Sequence, residues 1–113
     1  MDCLFCKIVS GEIPSKKVYE TEDVYAFYDI NPQAPFHAVI IPKKHVAASA
    51  AQINADNSGC VAKIFEAAAQ IAKENGLDKG FRIVTNCGEY GCQSVPHLHF
   101  HLLSGKQLDE KMC

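Results

Sequence analysis

The chain has 113 residues, a net charge of −2 and a 48% hydrophobic composition. That length fits one domain spanning residues 1–113 with a real apolar core, and the composition excludes disorder. Scattered basic residues argue against a broad nucleic-acid footprint, although one pocket can still hold a nucleotide. No run of about 18 apolar residues is present to span a membrane. The opening MDCLFCKIVSGEIPSKKVYE lacks the basic-then-apolar order of a signal peptide. Its six cysteines therefore read as reduced thiols or metal ligands of a cytoplasmic protein.

In chain order, Leu4–Ser10 reads as a short helix, with Gly11 and Pro14 as breakers after it. Lys17–Glu20 and the aromatic-rich Val24–Asp29 read as the two strands of a hairpin turned at Glu22-Asp23. Pro32 and Pro35 fix a loop. His37–Ile41 is a third strand stopped by Pro42, and Lys43-Lys44-His45 continues in a loop. Asp56–Asn75 carries Val61, Ile64, Phe65, Ala68, Ile71 and Ala72 at helical spacing, an apolar stripe that reads as core. Asn54 or Asp56 can cap its start, and Gly76 suits its end. Phe81–Thr85 is a fourth strand, Asn86–Ser94 a loop, the stretch around His97–His101 a fifth strand, and Ser104–Cys113 a polar, fraying tail. Strands, one long helix and then strands imply an α+β fold with a mainly antiparallel sheet.

Three of the five histidines sit in SVPHLHFHLL. On a strand, His97, His99 and His101 share one face, roughly 6.5–7 Å apart, and Leu98, Phe100 and Leu102 share the other. A neutral His99 with its second nitrogen tied down can act as a nucleophile. His101 can bind or protonate an oxyanion. The backbone of the Gly91–Gln93–Ser94 loop, the Ser94 hydroxyl and the Asn86 amide can hold phosphate oxygens. That assembly suits phosphoryl or nucleotidyl transfer. On the residues alone two other readings stay open: a catalytic zinc site built on His-x-His, and an exposed polar strand face. Cys3-x-x-Cys6 can share a zinc ion if two further ligands come from elsewhere, with His45, His97 and His37 as candidates. The alternative is two unrelated cysteines, one of them buried. Asp29 ends an aromatic strand and can accept hydrogen bonds from a ribose diol. Cys60 reads as buried and inert.

PHLHFHLL resembles the signature of the histidine triad (HIT) superfamily. NCGEYGCQSVPHLHFHLLSGKQL, YAFYDINPQAPFHAVIIPKK and FCKIVSGEIPSKKVYE extend the likeness to its histidine-triad nucleotide-binding branch, from Cys3 to about Leu108. The resemblance implies a five-stranded antiparallel sheet with one long and one short helix, and a homodimer with a continuous ten-stranded sheet. It implies hydrolysis or transfer of purine nucleotides through a nucleotidyl-histidine on the middle histidine, His99, without a catalytic metal. By position, His101 contacts the phosphate, His37 is the additional histidine, and Ser94 and Asn86 are phosphate-side. Asp29 binds the ribose, while Leu4, Phe5, Ile8, Phe27, Tyr28 and Ile30 form the base pocket. Cys3, Cys6, His45 and His97 match the structural-zinc ligands of some bacterial-type members. Two departures stand out. Cys92, before Gln93, replaces a usual glycine and places a side chain near the phosphate. A tryptophan-containing tail that touches the leaving group in many members has no counterpart, since the chain contains no tryptophan. These departures leave a competing expectation, a nucleotide-binding dimeric adaptor with negligible turnover.

Overall fold

The computed structural model describes residues 3–111; Met112 and Cys113 of the expected tail lie outside them. Helix α1 (Leu4–Ser10) precedes strands β1 (Lys17–Glu20), β2 (Val24–Tyr28) and β3 (Phe36–Pro42). A 3₁₀ turn (Ala50–Gln52) leads to helix α2 (Gly59–Glu74), then β4 (Arg82–Val84) and β5 (Phe100–Ser104). The strands form one five-stranded sheet in the order β1-β2-β3-β5-β4. Every pairing is antiparallel. The α+β expectation of five antiparallel strands with a long and a short helix therefore describes the molecule. No helix among the described residues is long and apolar enough to cross a membrane.

Side chains alternate faces along a strand, and here the alternation divides the molecule in two. Val24, Ala26, Ala38, Ile40, Leu98, Phe100 and Leu102 join Ile64, Ala67, Ala68 and Ile71 of α2 in the main core. Phe27, Val39 and Ile41 face the other way and pack with Cys3 and Phe5 of α1. The site lies on this second, α1 side.

Several boundaries differ from the sequence expectation. β5 begins at Phe100, so His97 and His99 precede the hydrogen-bonded strand. The face alternation still holds, because Leu98 is buried in the α2 core while His97 and His99 pack against Phe5 on the other side. Helix α2 starts at Gly59 rather than Asp56. Asn54 Oδ1 accepts the backbone N–H groups of Asp56 and Asn57, so it caps a separate turn ahead of the helix. Phe65, placed in the apolar stripe, is 48% exposed, and Ala67 takes a buried place instead. Cys60 is half-buried, and burial pushes its thiol pKa up. Pro42 is the last paired residue of β3, opposite Val24, rather than a stop outside it. β4 keeps only Arg82–Val84 of the expected strand. Ser104, assigned to the tail, closes β5, where its hydroxyl donates to the Gly80 carbonyl at 2.7 Å.

Candidate active site and metal centre

A cleft of about 950 Å³ opens on the α1 side of the sheet. Leu4, Phe5 and Ile8 of α1 form one wall; Phe27, Tyr28, Asp29 and Ile30 come from β2 and its exit; His37 lies on β3. Ser94, His99 and His101 border the same cleft. Eleven of the residues singled out from sequence thus meet around one cavity: the catalytic candidates His37, Ser94, His99 and His101, and the binding candidates Leu4, Phe5, Ile8, Phe27, Tyr28, Asp29 and Ile30. Val39, Val95 and the segment Ile13–Lys16 also line it and were not anticipated. Val39 was within reach of sequence reasoning, since it shares the β3 face of His37 at a spacing of two. Ile13–Lys16 is irregular and carries no local signal.

Asn86, Cys92 and Gln93 do not border the cleft. Their groups build the turn that delivers Ser94. Asn86 Nδ2 donates to the Gly91 carbonyl at 2.6 Å. Gln93 Nε2 donates to the carbonyls of Ala48 and Val95, and its Oε1 accepts Gly88 N–H. Gln93 N–H bonds the Gly88 carbonyl and Cys92 N–H the Glu89 carbonyl, both at 3.1 Å. This nested pair is a Schellman motif, whose penultimate residue is left-handed and ordinarily glycine. Cys92 occupies that position with φ 59°, the one left-handed non-glycine residue among those described. Gly91 before it must remain glycine, because a Cβ there would press into the Cys87 backbone. Cys92→Gly is therefore expected to stabilise the fold by about 1 kcal/mol, by removing the steric cost of a Cβ at positive φ. The thermal midpoint should rise by about 4 °C; a midpoint that falls would contradict it.

Backbone groups assign the proton on each buried imidazole. A carbonyl only accepts, so His99 donates its Nδ1–H to the His97 carbonyl at 2.8 Å, leaving a lone pair on Nε2. His97 donates Nε2–H to the Pro42 carbonyl at 3.0 Å, which bares its Nδ1. His37 Nδ1 accepts Gln33 N–H at 3.0 Å, so its proton sits on Nε2. That Nε2–H donates to His101 Nδ1 at 2.9 Å and lies 3.4 Å from Asp29 Oδ2. His101 consequently carries its own proton on Nε2, as a donor. Among the described residues no buried side-chain nitrogen or oxygen lacks a hydrogen-bond partner.

Burial depresses the pKa of His37 and of His99, with the Asp29 charge opposing it in both and the His97 carbonyl also opposing it at His99. Burial, reinforced by His99 and His37, pushes His101 down to about 4. The folded state thus binds fewer protons than the unfolded chain, in which histidine titrates near 6.5. Stability should be full above pH 6.5 and fall progressively as pH drops from 6.5 toward 4. Urea midpoints measured across that range check the sign; a midpoint that rises on acidification would refute it.

Among the described residues two clusters could hold a metal ion on distance alone: Cys3, Cys6, His45 and His97, and Asp29, His37 and His101. The donor chemistry separates them. In the first, His97 Nδ1 lies 3.2 Å from Cys3 Sγ and 3.5 Å from Cys6 Sγ, and His45 Nδ1 lies 3.4 Å from Cys6 Sγ. Zn–S near 2.3 Å and Zn–N near 2.0 Å in a tetrahedron give sulfur-to-nitrogen edges of about 3.5 Å. The bare Nδ1 of His97 is the lone pair a metal requires. Cys3 Sγ also accepts Cys6 N–H at 3.2 Å, capping α1. Burial and the neighbouring Cys3 push the Cys6 thiol up to about 11, so without a cation Cys6 stays protonated beside the second sulfur. In the second cluster His37 Nε2 carries a proton, because Gln33 N–H already occupies Nδ1. Metal binding would set two donors against each other, and the cluster does not fit.

A HIT domain model matches residues 10–108 of the chain. The "14 kDa zinc-binding protein" of Brassica juncea is 44% identical over 109 residues, covering 96% of each sequence. "Adenylylsulfatase HINT1" of Arabidopsis thaliana is 42% identical over 107 residues, covering 94% of this chain and 73% of the relative. Two solved structures superpose with a TM-score of 0.94, each covering 99% of this chain and 97% of the other. A HIT family hydrolase from Clostridium thermocellum is 45% identical, and a histidine triad protein from Clostridium difficile is 50% identical.

Proposed function

The chain belongs to the HIT superfamily, in its histidine-triad nucleotide-binding branch, and from that premise we propose that it cleaves purine nucleotides at the α-phosphorus, with adenosine 5′-phosphoramidate as the model substrate. The observation that carries this reading is the tautomer of His99. Its proton is committed to the His97 carbonyl, and its Nε2 lone pair belongs to a residue that borders the cleft. In the proposed reaction that lone pair forms a bond to phosphorus while the P–N bond breaks. The nitrogen, taking up a proton from solvent, leaves as ammonia with the electron pair of that bond. Water then attacks the nucleotidyl-histidine, releasing AMP and restoring His99. His101 donates its Nε2–H to the phosphate oxygens, and the Ser94 hydroxyl adds a second donor. His37 holds the His101 tautomer. Asp29 accepts the ribose hydroxyls, and Leu4, Phe5, Ile8, Phe27, Tyr28 and Ile30 enclose the purine. Asn86, Cys92 and Gln93 act by shaping the turn that presents Ser94.

Cys3, Cys6, His45 and His97 would hold a structural zinc ion, a closed Cys₂His₂ set that supplies folding energy rather than an open catalytic position. The homodimer and its ten-stranded sheet belong to the same proposal. β4 is a three-residue sheet edge, and Phe65 on α2 and Phe81 beside β4 are exposed at 48% and 43%. A reducing, cytoplasmic setting suits the free thiols of Cys3, Cys6, Cys60, Cys87 and Cys92.

Cys92, in its strained position next to the Ser94 turn, favours one second reading: a dimeric nucleotide-binding adaptor that turns over negligibly. A single-turnover reaction quenched in base, where phosphohistidine bonds survive, separates the two. A mass increment of one adenylyl group, AMP less water, on the peptide containing His99 is expected. Binding of AMP with neither adduct nor product would leave only the adaptor.

A further inference from the structure

The ring and the peptide of His97 serve different partners. Its Nδ1 faces the thiols of Cys3 and Cys6, while its carbonyl holds the His99 proton at 2.8 Å. Its Nε2–H bond to Pro42 fixes the ring from the opposite side. Phe5 makes a second connection. It lies on α1 between the two thiols, borders the cleft, and meets the His97 and His99 rings edge-on at centroid separations of 5.8 and 5.0 Å. Leu4 and Ile8, on the same short helix, also face the cleft. One four-residue segment, Cys3–Cys6, thus carries two thiol ligands and part of the cavity wall. None of the four metal-ligand candidates belongs to the α2 core on the other face of the sheet.

We propose that metal binding at Cys3, Cys6, His45 and His97 and nucleotide binding in the cleft are thermodynamically linked, with His97 and Phe5 as the positioning residues that join them. The inference rests on reading the cleft as a purine nucleotide site. A metal ion held by both ends of the set ties α1 to the peptide before His99. It thereby seats the Leu4–Phe5–Ile8 wall and keeps the His97 carbonyl where it holds the His99 proton on Nδ1. With the metal removed, seven-residue α1 keeps only its packing, chiefly through Phe5, to hold it against that segment, and a helix this short does not hold itself in water. The α2 core, free of these ligands, keeps the sheet and long helix folded. Linkage is reciprocal, so AMP must tighten metal binding by the same factor by which metal tightens AMP.

The experiment is AMP titration calorimetry on the zinc-loaded protein and on the same protein stripped by a chelator. Far-ultraviolet circular dichroism tracks the fold of both. ¹⁵N-detected histidine spectra report the His99 tautomer. Stripping is expected to weaken AMP binding at least tenfold, to leave most of the helix and sheet signal, and to convert His99 from a single Nδ1–H form to a mixture. Chelator competition should show zinc binding strengthened at least tenfold by saturating AMP. AMP affinity equal in the two forms within twofold overturns the linkage, as does an unchanged His99 tautomer or global loss of structure on stripping. Zinc-loaded protein that binds no AMP would instead overturn the nucleotide reading on which the linkage rests.

Discussion

His99→Ala is expected to lower turnover of adenosine 5′-phosphoramidate by at least about 10⁴-fold while AMP affinity changes by no more than about threefold. The asymmetry arises from where His99 sits. On the proposed reading its ring would meet the nucleotide only at the reacting phosphorus, whereas the base and ribose contacts would come from α1, β2 and Asp29. Removing a covalent nucleophile eliminates the route that splits one difficult displacement into two easier ones. The imidazole is also 4% exposed, so an alanine leaves a void beside Phe5. His99→Asn keeps more of that volume without supplying the nucleophile and should be equally inactive. Turnover near wild type in a folded His99→Ala protein would reject the covalent mechanism. Loss of AMP binding together with activity would show that the ring supports the cleft rather than reacting.

Cys3→Ser should reduce bound zinc from about one ion per chain to less than about 0.1, measured by elemental mass spectrometry on protein expressed with zinc. It should also lower stability by about 4 kcal/mol at free zinc a thousandfold above the dissociation constant. For a domain of this size that corresponds to about 10–20 °C in thermal midpoint. The substitution is a clean probe because Cys3 is also the N-cap of α1. Serine caps helices well, so the cap survives and the loss reports the ligand set. Chelator-treated wild type and Cys3→Ser should then melt together. A wild-type protein that acquires no zinc, or a variant that keeps it, would remove the structural-metal reading.

The alternation of apolar residues and histidines in PHLHFHLL was legible because side-chain direction along extended chain needs only a period of two. Leu98, Phe100 and Leu102 fill the core and the histidines face away, even though ladder pairing begins only at Phe100. The stripe on α2 was legible in kind but not in detail. Phe65 satisfies the helical spacing yet stays exposed, because periodicity gives a face and not the width of what covers it. Sequence could place His37 near His101 only by resemblance, since the contact spans 64 residues. The roles of Asn86 and Gln93 were illegible: an amide in a glycine-rich loop can donate to a ligand or to its own turn. Hydrogen bonds to Gly91, Ala48 and Val95 decide for the turn. The tautomers could not be read at all, because each is set by a backbone carbonyl or N–H or, for His101, by the ring of a residue 64 positions away.

The sheet order also dictates when during synthesis the site can exist. Strands β1, β2 and β3 are neighbours in sequence and can pair as soon as they emerge. β5 must close a loop of some sixty residues to insert between β3 and β4, and loop closure and contact order make that step slow. His37 and Asp29 therefore wait on a half-built meander until His99 and His101 arrive together. A chain stalled before residue 97 buries no Leu98, Phe100 or Leu102 against α2 and lacks both His99 and His101.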